Sequence, residues 1–316
     1  MNHRSMLRAL AAVCAAGLIA CACQGAGATG DAAHVRHSPG HAAGGTPSAA
    51  PSPSRTPSSA VANSNLSQGQ TVVSLTFDDA YEDQWRYGAP FVAAHNMTAT
   101  YYVINSSSEV PYRCCMSWFQ LRVLQSQGND IGSHTISHPN PATLTRDQMR
   151  QEICGSRQDM IRHGIADPQS FAYPFGIYNR TVEDIVRQCG FNNARAAGGI
   201  SVSNDTPSVL NLQTIPPADP YALGAIPVDG SHPMRLADLE SFVTASAAQG
   251  GGWLPINFHD VCDAGAADFK KCISSYGPVQ DTVLSQFLDW LAAAGRPGGA
   301  PGGVVVRNVC QVMNCP

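Results

Sequence analysis

The sequence predicts an α/β fold, a barrel of about seven parallel strands behind an N-terminal leader and tether. Three observations carry it. Short β-branched runs alternate with amphipathic helical stretches, as in a parallel sheet. The segments alternate about seven times, which suits a closed barrel, with a doubly wound open sheet as the alternative. The chain of 316 residues, 44% of them hydrophobic, can build a large core.

The elements follow in order. Thr71–Phe77 (TVVSLTF) and 99–104 (ATYYVI) read as buried strands. Ser117 caps a helix carrying Trp118, Leu121 and Leu124, stopped by Gly128. A short strand spans Asp130–Ser133. Thr145-Arg146-Asp147-Gln148 is a capping box opening a helix with Met149, Ile153, Met160 and Ile161 on one face, ending near Gly164. Residues 170–174 are extended, 181–189 helical up to Gly190, and 191–196 a strand. A helix over 235–249 stops at Gly250–Gly252, and 253–258 is extended. A helix at 282–294 and a strand at 304–309 close the domain. Trp118 and Trp253 sit in apolar runs and are expected in the core. Trp85 and Trp290 are also expected there, and His95, His163 and His232 on the surface.

Residues 1–20 resemble a lipoprotein signal peptide. Arg4 and Arg8 precede an apolar run ending Leu18-Ile19-Ala20-Cys21, with cleavage before Cys21 and lipid on that cysteine. Ordinary cleavage beyond Ala22 is the alternative. Residues 21–67, rich in Ala, Gly, Pro and Ser, lack apolar periodicity and read as a tether. Such a chain spans on the order of 35–40 Å. The folded domain is expected at 68–316. These features predict export, with the protein lipid-anchored outside a membrane or in a periplasm, or secreted where the lipobox is unused. Beyond the leader and tether, cysteines 114, 115, 154, 189, 262, 272, 310 and 315 form an even set that suggests disulfides. Cys262–Cys272 and Cys310–Cys315 are the short-loop pairings expected. A net charge of −4 and only two lysines, Lys270 and Lys271, argue against nucleic acid and against a cationic membrane surface.

Chemistry-bearing residues stand at strand ends, where barrels collect their active sites. Asp78 and Asp79 end the first strand. Neighbouring strand residues point opposite ways, so both reach one cleft only through a bend. His134 and His138 follow the third strand, and Thr135, Ile136 and Pro139 favour a loop there. With one Asp they make a two-His, one-carboxylate set for Zn²⁺ or another divalent ion, or for the iron of an oxygenase. Pro174 and Phe175 follow the fourth strand, and His259 ends the late strand.

In this order TFDD, SHTISHP, FAYPFGIYN and FHD resemble the polysaccharide deacetylases, the NodB-like carbohydrate esterase family 4. The resemblance covers about residues 71–309. It implies a distorted (β/α) barrel that removes acetyl groups from extracellular or wall polysaccharide. N-acetylglucosamine polymers are the first substrate class implied, with O-acetyl ester hydrolysis on xylan-type polymers as the alternative. A non-catalytic carbohydrate-binding lipoprotein is the third reading. The resemblance further implies that Asp79, His134 and His138 hold a divalent metal, Zn first, then Co, Ni or Fe. By the same resemblance Asp78 is the general base and His259 the general acid. Pro174 shapes the cleft, and the Phe175 N–H holds the oxyanion. An iron oxygenase needs neither Asp78 nor His259 in these roles, which decides against it. The chain is expected to act as a monomer on a polysaccharide, touching a membrane only through Cys21.

Three positions depart from the family pattern. The Gly that often follows the Asp pair is Ala80. The Arg that usually orients the base is Ala172, and Arg195 at the next strand end is the expected substitute. The Leu often found two residues before the acid His, lining the acetyl pocket, is Asn257. Asp219 and Asp229 are the candidates for pairing with His259.

Overall fold

The structure, a computed structural model, describes residues 69–109, 114–200, 210–227, 233–296, 299 and 303–316. The expected leader (1–20) and tether (21–67) lie outside the described residues.

Strand β1 (Thr71–Phe77) is followed by a π-helical turn (Gln84–Gly88), α1 (Ala89–Ala94), β2 (Thr100–Val103), α2 (Asn105–Ser108), α3 (Trp118–Ser126) and β3 (Asp130–Ser133). Next come α4 (Arg146–Arg162), β4 (Ser170–Ala172), α5 (Arg180–Gln188), β5 (Asn193–Gly199) and β6 (Leu223–Pro227). Helix α6 (Leu236–Ala248) leads into β7 (Gly252–Phe258). An excursion then carries β8 (Val261–Cys262), α7 (Phe269–Cys272) and β9 (Val279–Gln280), before α8 (Asp281–Ala294), β10 (Val304–Val306) and α9 (Val309–Met313).

Strands β1 to β7 pair in sequence order and all in parallel, and β7 returns to β1 to close the ring. The closure is the longest pairing, from Thr71↔Gly252 to Phe77↔Phe258. On its other edge β1 is shared: Thr71–Val73 pair with β10, while only Thr76 and Phe77 pair with β2. The barrel is therefore splayed between β1 and β2, and β10 fills the gap at the N-terminal end. All seven residues of β1 are buried, as expected for a strand covered on both faces. Gly132 in β3 is needed for space: a Cβ there would lie 2.7 Å from the Tyr102 ring and 2.8 Å from the Ser170 carbonyl.

The two capping boxes, Ser117 with Gln120 and Thr145 with Gln148, form at the starts of α3 and α4. Met149, Ile153 and Met160 of α4 are buried, but Ile161 is 45% exposed. It lies one residue, about 100°, past Met160 and turns off the apolar face. Trp118 and Trp253 are buried, and Trp85 and Trp290 pack against the core. His95 and His163 are partly exposed and pair with Asp289 and Glu109, whereas His232 lies outside the described residues.

The ring differs in membership from the expected seven strands. β6 (LGAIP) was not anticipated, because Gly224 and Pro227 interrupt the β pattern. Pairing with β5 and β7 overrides that weak local signal. The expected strand at 304–309 stops at Val306 and stands outside the seven-stranded ring. Asn308 instead caps α9, with its side chain accepting from Gln311 N and Gln311 reaching back. Four disulfides form among the described residues: Cys114–Cys115, Cys154–Cys189, Cys262–Cys272 and Cys310–Cys315.

Candidate active site

Asp78 extends β1 by one step, its N–H donating to Phe258 O at 3.0 Å. The chain then turns through two left-handed residues, Asp79 (φ 67°) and Ala80 (φ 55°). This bend brings adjacent carboxylates, which a strand would send to opposite faces, to one side. His134 Nε2 lies 3.9 Å from Asp78 Oδ2 and 3.8 Å from Asp79 Oδ1. The family Gly position thus demands a conformation that Gly adopts freely and Ala80 adopts at a cost.

His134 and His138 stand on a loop, as Thr135 (φ 72°) and His138 (φ 57°) require. Glu152 of α4 holds that loop, accepting from Ile136 N at 3.0 Å, Ser137 N at 2.9 Å and Ser137 Oγ at 2.8 Å. His134 Nδ1–H donates to Ala172 O at 2.8 Å, which leaves its Nε2 lone pair facing the cleft. His138 Nε2 lies 3.1 Å from that atom.

These residues fit a divalent metal. Nitrogens on a tetrahedral zinc, with bonds of about 2.0–2.1 Å, sit about 3.3 Å apart, close to the observed spacing. Ligand atoms of Asp79, His134 and His138 all lie within 4.8 Å of one another. Asp79 Oδ1 is buried without a hydrogen-bond partner. Burial lowers His138 to about 4, and His134 also falls, so both imidazoles are neutral at pH 7, the form a metal ligand needs. Burial and the Asp78 charge push Asp79 up, an environment that a neighbouring cation relieves.

Asp78 is 3% exposed, which alone would favour its neutral form. The charges of Arg195, His134 and His259 outweigh burial and hold its carboxyl well below the usual range. Arg195, 1% exposed at the start of β5, donates from Nη2 to Asp78 Oδ1 and from Nη1 to Ala196 O. Its guanidinium lies over the Tyr102 ring at 4.8 Å. The residue expected to replace the family Arg therefore reaches the Asp78 carboxylate, the expected base, from one strand further on. Asn257 is turned to Asp78 rather than standing free as a pocket wall, its Nδ2 donating to Oδ2 at 3.0 Å.

His259 Nε2 lies 3.9 Å from Asp78 Oδ2, and its Nδ1 is buried without a hydrogen-bond partner among the described residues. Asp219 does not supply one and accepts from Tyr221 N instead, and Asp229 lies outside the described residues. Tyr276, 59% exposed, sets its ring edge-on to His259 with centroids 4.9 Å apart. Across the cleft Phe175 (φ 58°), 60% exposed, meets His138 edge-on at 4.5 Å. Pro174 is buried and Gly176 (φ 66°) packs on β5, where a Cβ would lie 2.7 Å from Ala197 N.

Sequence reasoning missed Gln84. Fully buried, it donates from Nε2 to Asp78 O at 2.6 Å and to His259 O at 2.8 Å, tying the ends of β1 and β7 together. No motif flags it; only the ring closure brings those carbonyls side by side. Also missed was a carboxyl pair behind His259. Asp83 hydrogen-bonds Asp260, whose Oδ2 accepts from Ser275 Oγ at 2.5 Å. Burial and the Asp260 charge push Asp83 from 3.8 up to about 8. Between those values the folded protein holds a proton that the unfolded chain has lost. The stability this gives is full below about pH 4 and is lost as pH rises towards 8. Asp83→Asn is therefore expected to raise the melting temperature over wild type at pH 8 and barely change it at pH 4. Parallel melting shifts at both pH values would contradict this.

A cavity of about 930 Å³ opens at the opposite end of the barrel around Gly69, Gln70, Gly251 and Met313. None of Asp78, Asp79, His134, His138 and His259 lines it.

Residues 65–194 match the family model described as polysaccharide deacetylase. That stretch, about two-fifths of the chain, is similar to the polysaccharide deacetylases. Among curated proteins this domain is similar to YxkH of Bacillus subtilis, whose name assigns it to the polysaccharide deacetylases. Identity is 27% over 119 residues, covering 38% of this chain and 42% of that protein. It is also similar to a peptidoglycan-N-acetylglucosamine deacetylase of Bacillus cereus, at 27% identity over 33% of this chain and 36% of that protein. The chain spans less than half the length of these relatives. Among solved structures, a family 4 acetyl xylan esterase from Clostridium thermocellum, in complex with a cobalt ion, is 16% identical with a TM-score of 0.49. That match covers 77% of this chain and 91% of the other.

Proposed function

We propose that the protein is a metal-dependent hydrolase that removes N-acetyl groups from an extracellular or cell-wall polysaccharide of the N-acetylglucosamine type. One observation carries this: Asp79, His134 and His138 converge as a ligand set while Asp78 and His259 flank it with Asp78 Oδ2 3.9 Å from both His134 and His259. Asp79, His134 and His138 would hold the ion, zinc being the best fit to two imidazoles and a carboxylate. A divalent ion bound there supplies Lewis-acid polarisation of the acetyl carbonyl and acidifies a water.

The chain's own groups supply the rest. Arg195 keeps Asp78 ionised, so Oδ2 accepts the proton of the attacking water. His259 Nε2 delivers a proton to the departing nitrogen, without which an amine leaves poorly. The Phe175 N–H donates to the oxyanion as charge develops. The exposed rings of Phe175 and Tyr276 on either side of the cleft suit stacking against pyranose faces. The leader and Cys21 support export and lipid attachment, and the tether supports reach towards a wall polymer.

Acetate release from N-acetylglucosamine oligomers, peptidoglycan and acetylated xylan tests the reading. Release from the amino-sugar substrates is expected. Release from xylan alone would move the activity to O-acetyl esters, and carbohydrate binding without release from any substrate would favour a non-catalytic binding protein.

A further inference from the structure

We propose that Asn257 is a positioning residue for Asp78, taking the place of a hydrophobic pocket wall with a hydrogen-bonding arm. The inference rests on the reading of Asp78 as the base. Thr76 pairs in register with Asn257 across the β1–β7 closure, and Asp78 follows Thr76 by two residues on the same strand face. All three side chains are buried. Asn257 Nδ2 donates to Asp78 Oδ2 at 3.0 Å, and Asn257 Oδ1 lies 3.3 Å from Thr76 Oγ1. The Thr76 hydroxyl also lies 3.0 Å from Ile256 O and gives its proton to either acceptor. A carboxylate accepts only, so the NH₂ end of the amide must face Asp78.

The consequence concerns direction. Arg195 grips Oδ1 alone, and a carboxylate held at one oxygen can still swing about that contact. Asn257 pins the other oxygen, the one 3.9 Å from both His134 Nε2 and His259 Nε2. With one lone pair of Oδ2 engaged by Asn257, the other is left for the cleft. Asn257 thereby sets which lone pair receives the proton and from which direction. A leucine at this position could not do so.

The test pairs kinetics with a readout that needs no turnover. Asn257→Leu is expected to lower kcat about ten- to a hundredfold, the range for losing one hydrogen bond to a charged group. KM should stay within about threefold, with unchanged metal content. Asn257→Asp sets a second carboxylate against Asp78 and should lose more. Unchanged kcat, with loss confined to melting temperature or metal content, would mean a structural role and overturn the proposal. In ¹H–¹⁵N spectra of the wild type, the Asn257 side-chain amide protons should exchange slowly. That protection should vanish in Asp78→Ala, or in Asp78→Leu, which also lacks an acceptor, where the alanine variant does not fold. Protection that survives the loss of the Asp78 carboxylate would overturn the contact. An inactive wild type would instead count against the deacetylase reading, and the amide spectrum would still judge the contact.

Discussion

Asp78→Asn is expected to lower turnover roughly 10²–10⁴-fold, the usual scale for a general base. Asn keeps the shape of Asp and removes only its charge and basicity. The proposed ligand set of Asp79, His134 and His138 is untouched, so metal content should hold. The change also leaves the Arg195 guanidinium buried without its counter-charge, so the variant should be less stable than wild type. Its acid response should change as well. Because the Asp78 carboxyl is depressed in the fold, its stabilisation is present above the ordinary value of 3.8 and is lost as pH falls below it. Asp78→Asn should remove that part of acid unfolding. Steady-state kinetics, metal analysis and acid denaturation together check this, and turnover within threefold of wild type would remove Asp78 from the mechanism.

Arg195→Met is expected to give the largest loss of stability, about 3–5 kcal/mol, the scale for removing one partner of a buried ion pair. Methionine retains much of the volume, so the loss reports the uncompensated Asp78 charge more than a cavity. Turnover should fall by about 10–100-fold, the effect typical of groups that orient a reacting side chain. The double variant Asp78→Asn/Arg195→Met should recover much of the stability and none of the turnover. Urea denaturation of the two single variants and the double gives the coupling directly. Additive losses would mean that the pair does not act as a unit.

Most of the site was legible because its residues sit in short contiguous motifs at strand ends. Asp78 with Asp79, and His134 with His138, announce themselves by spacing. Arg195 was legible only through the missing Arg at Ala172. What the sequence hid depends on closure of the ring. Gln84 matters because β1 and β7 set two carbonyls side by side, and Asn257 because β1–β7 register aligns it with Thr76. Spacing along the chain encodes neither contact. For the fold, β1, β3 and α4 carried clear periodicity and caps, and their placement followed. β6 was illegible because its strand character comes from the neighbours it pairs with rather than from LGAIP itself. The 304–309 stretch misled because three valines outweighed the Asn308–Gln311 capping signal next to them.

The most direct test of the central claim is a metal titration of chelator-treated protein. Acetate release from N-acetylglucosamine oligomers is followed at each step, beside His134→Ala and His138→Ala variants. The account predicts that release returns with Zn²⁺ and saturates at one ion per chain, with neither variant regaining it. Release that persists after chelation, or that returns equally in the histidine variants, would contradict a catalytic ion held by Asp79, His134 and His138.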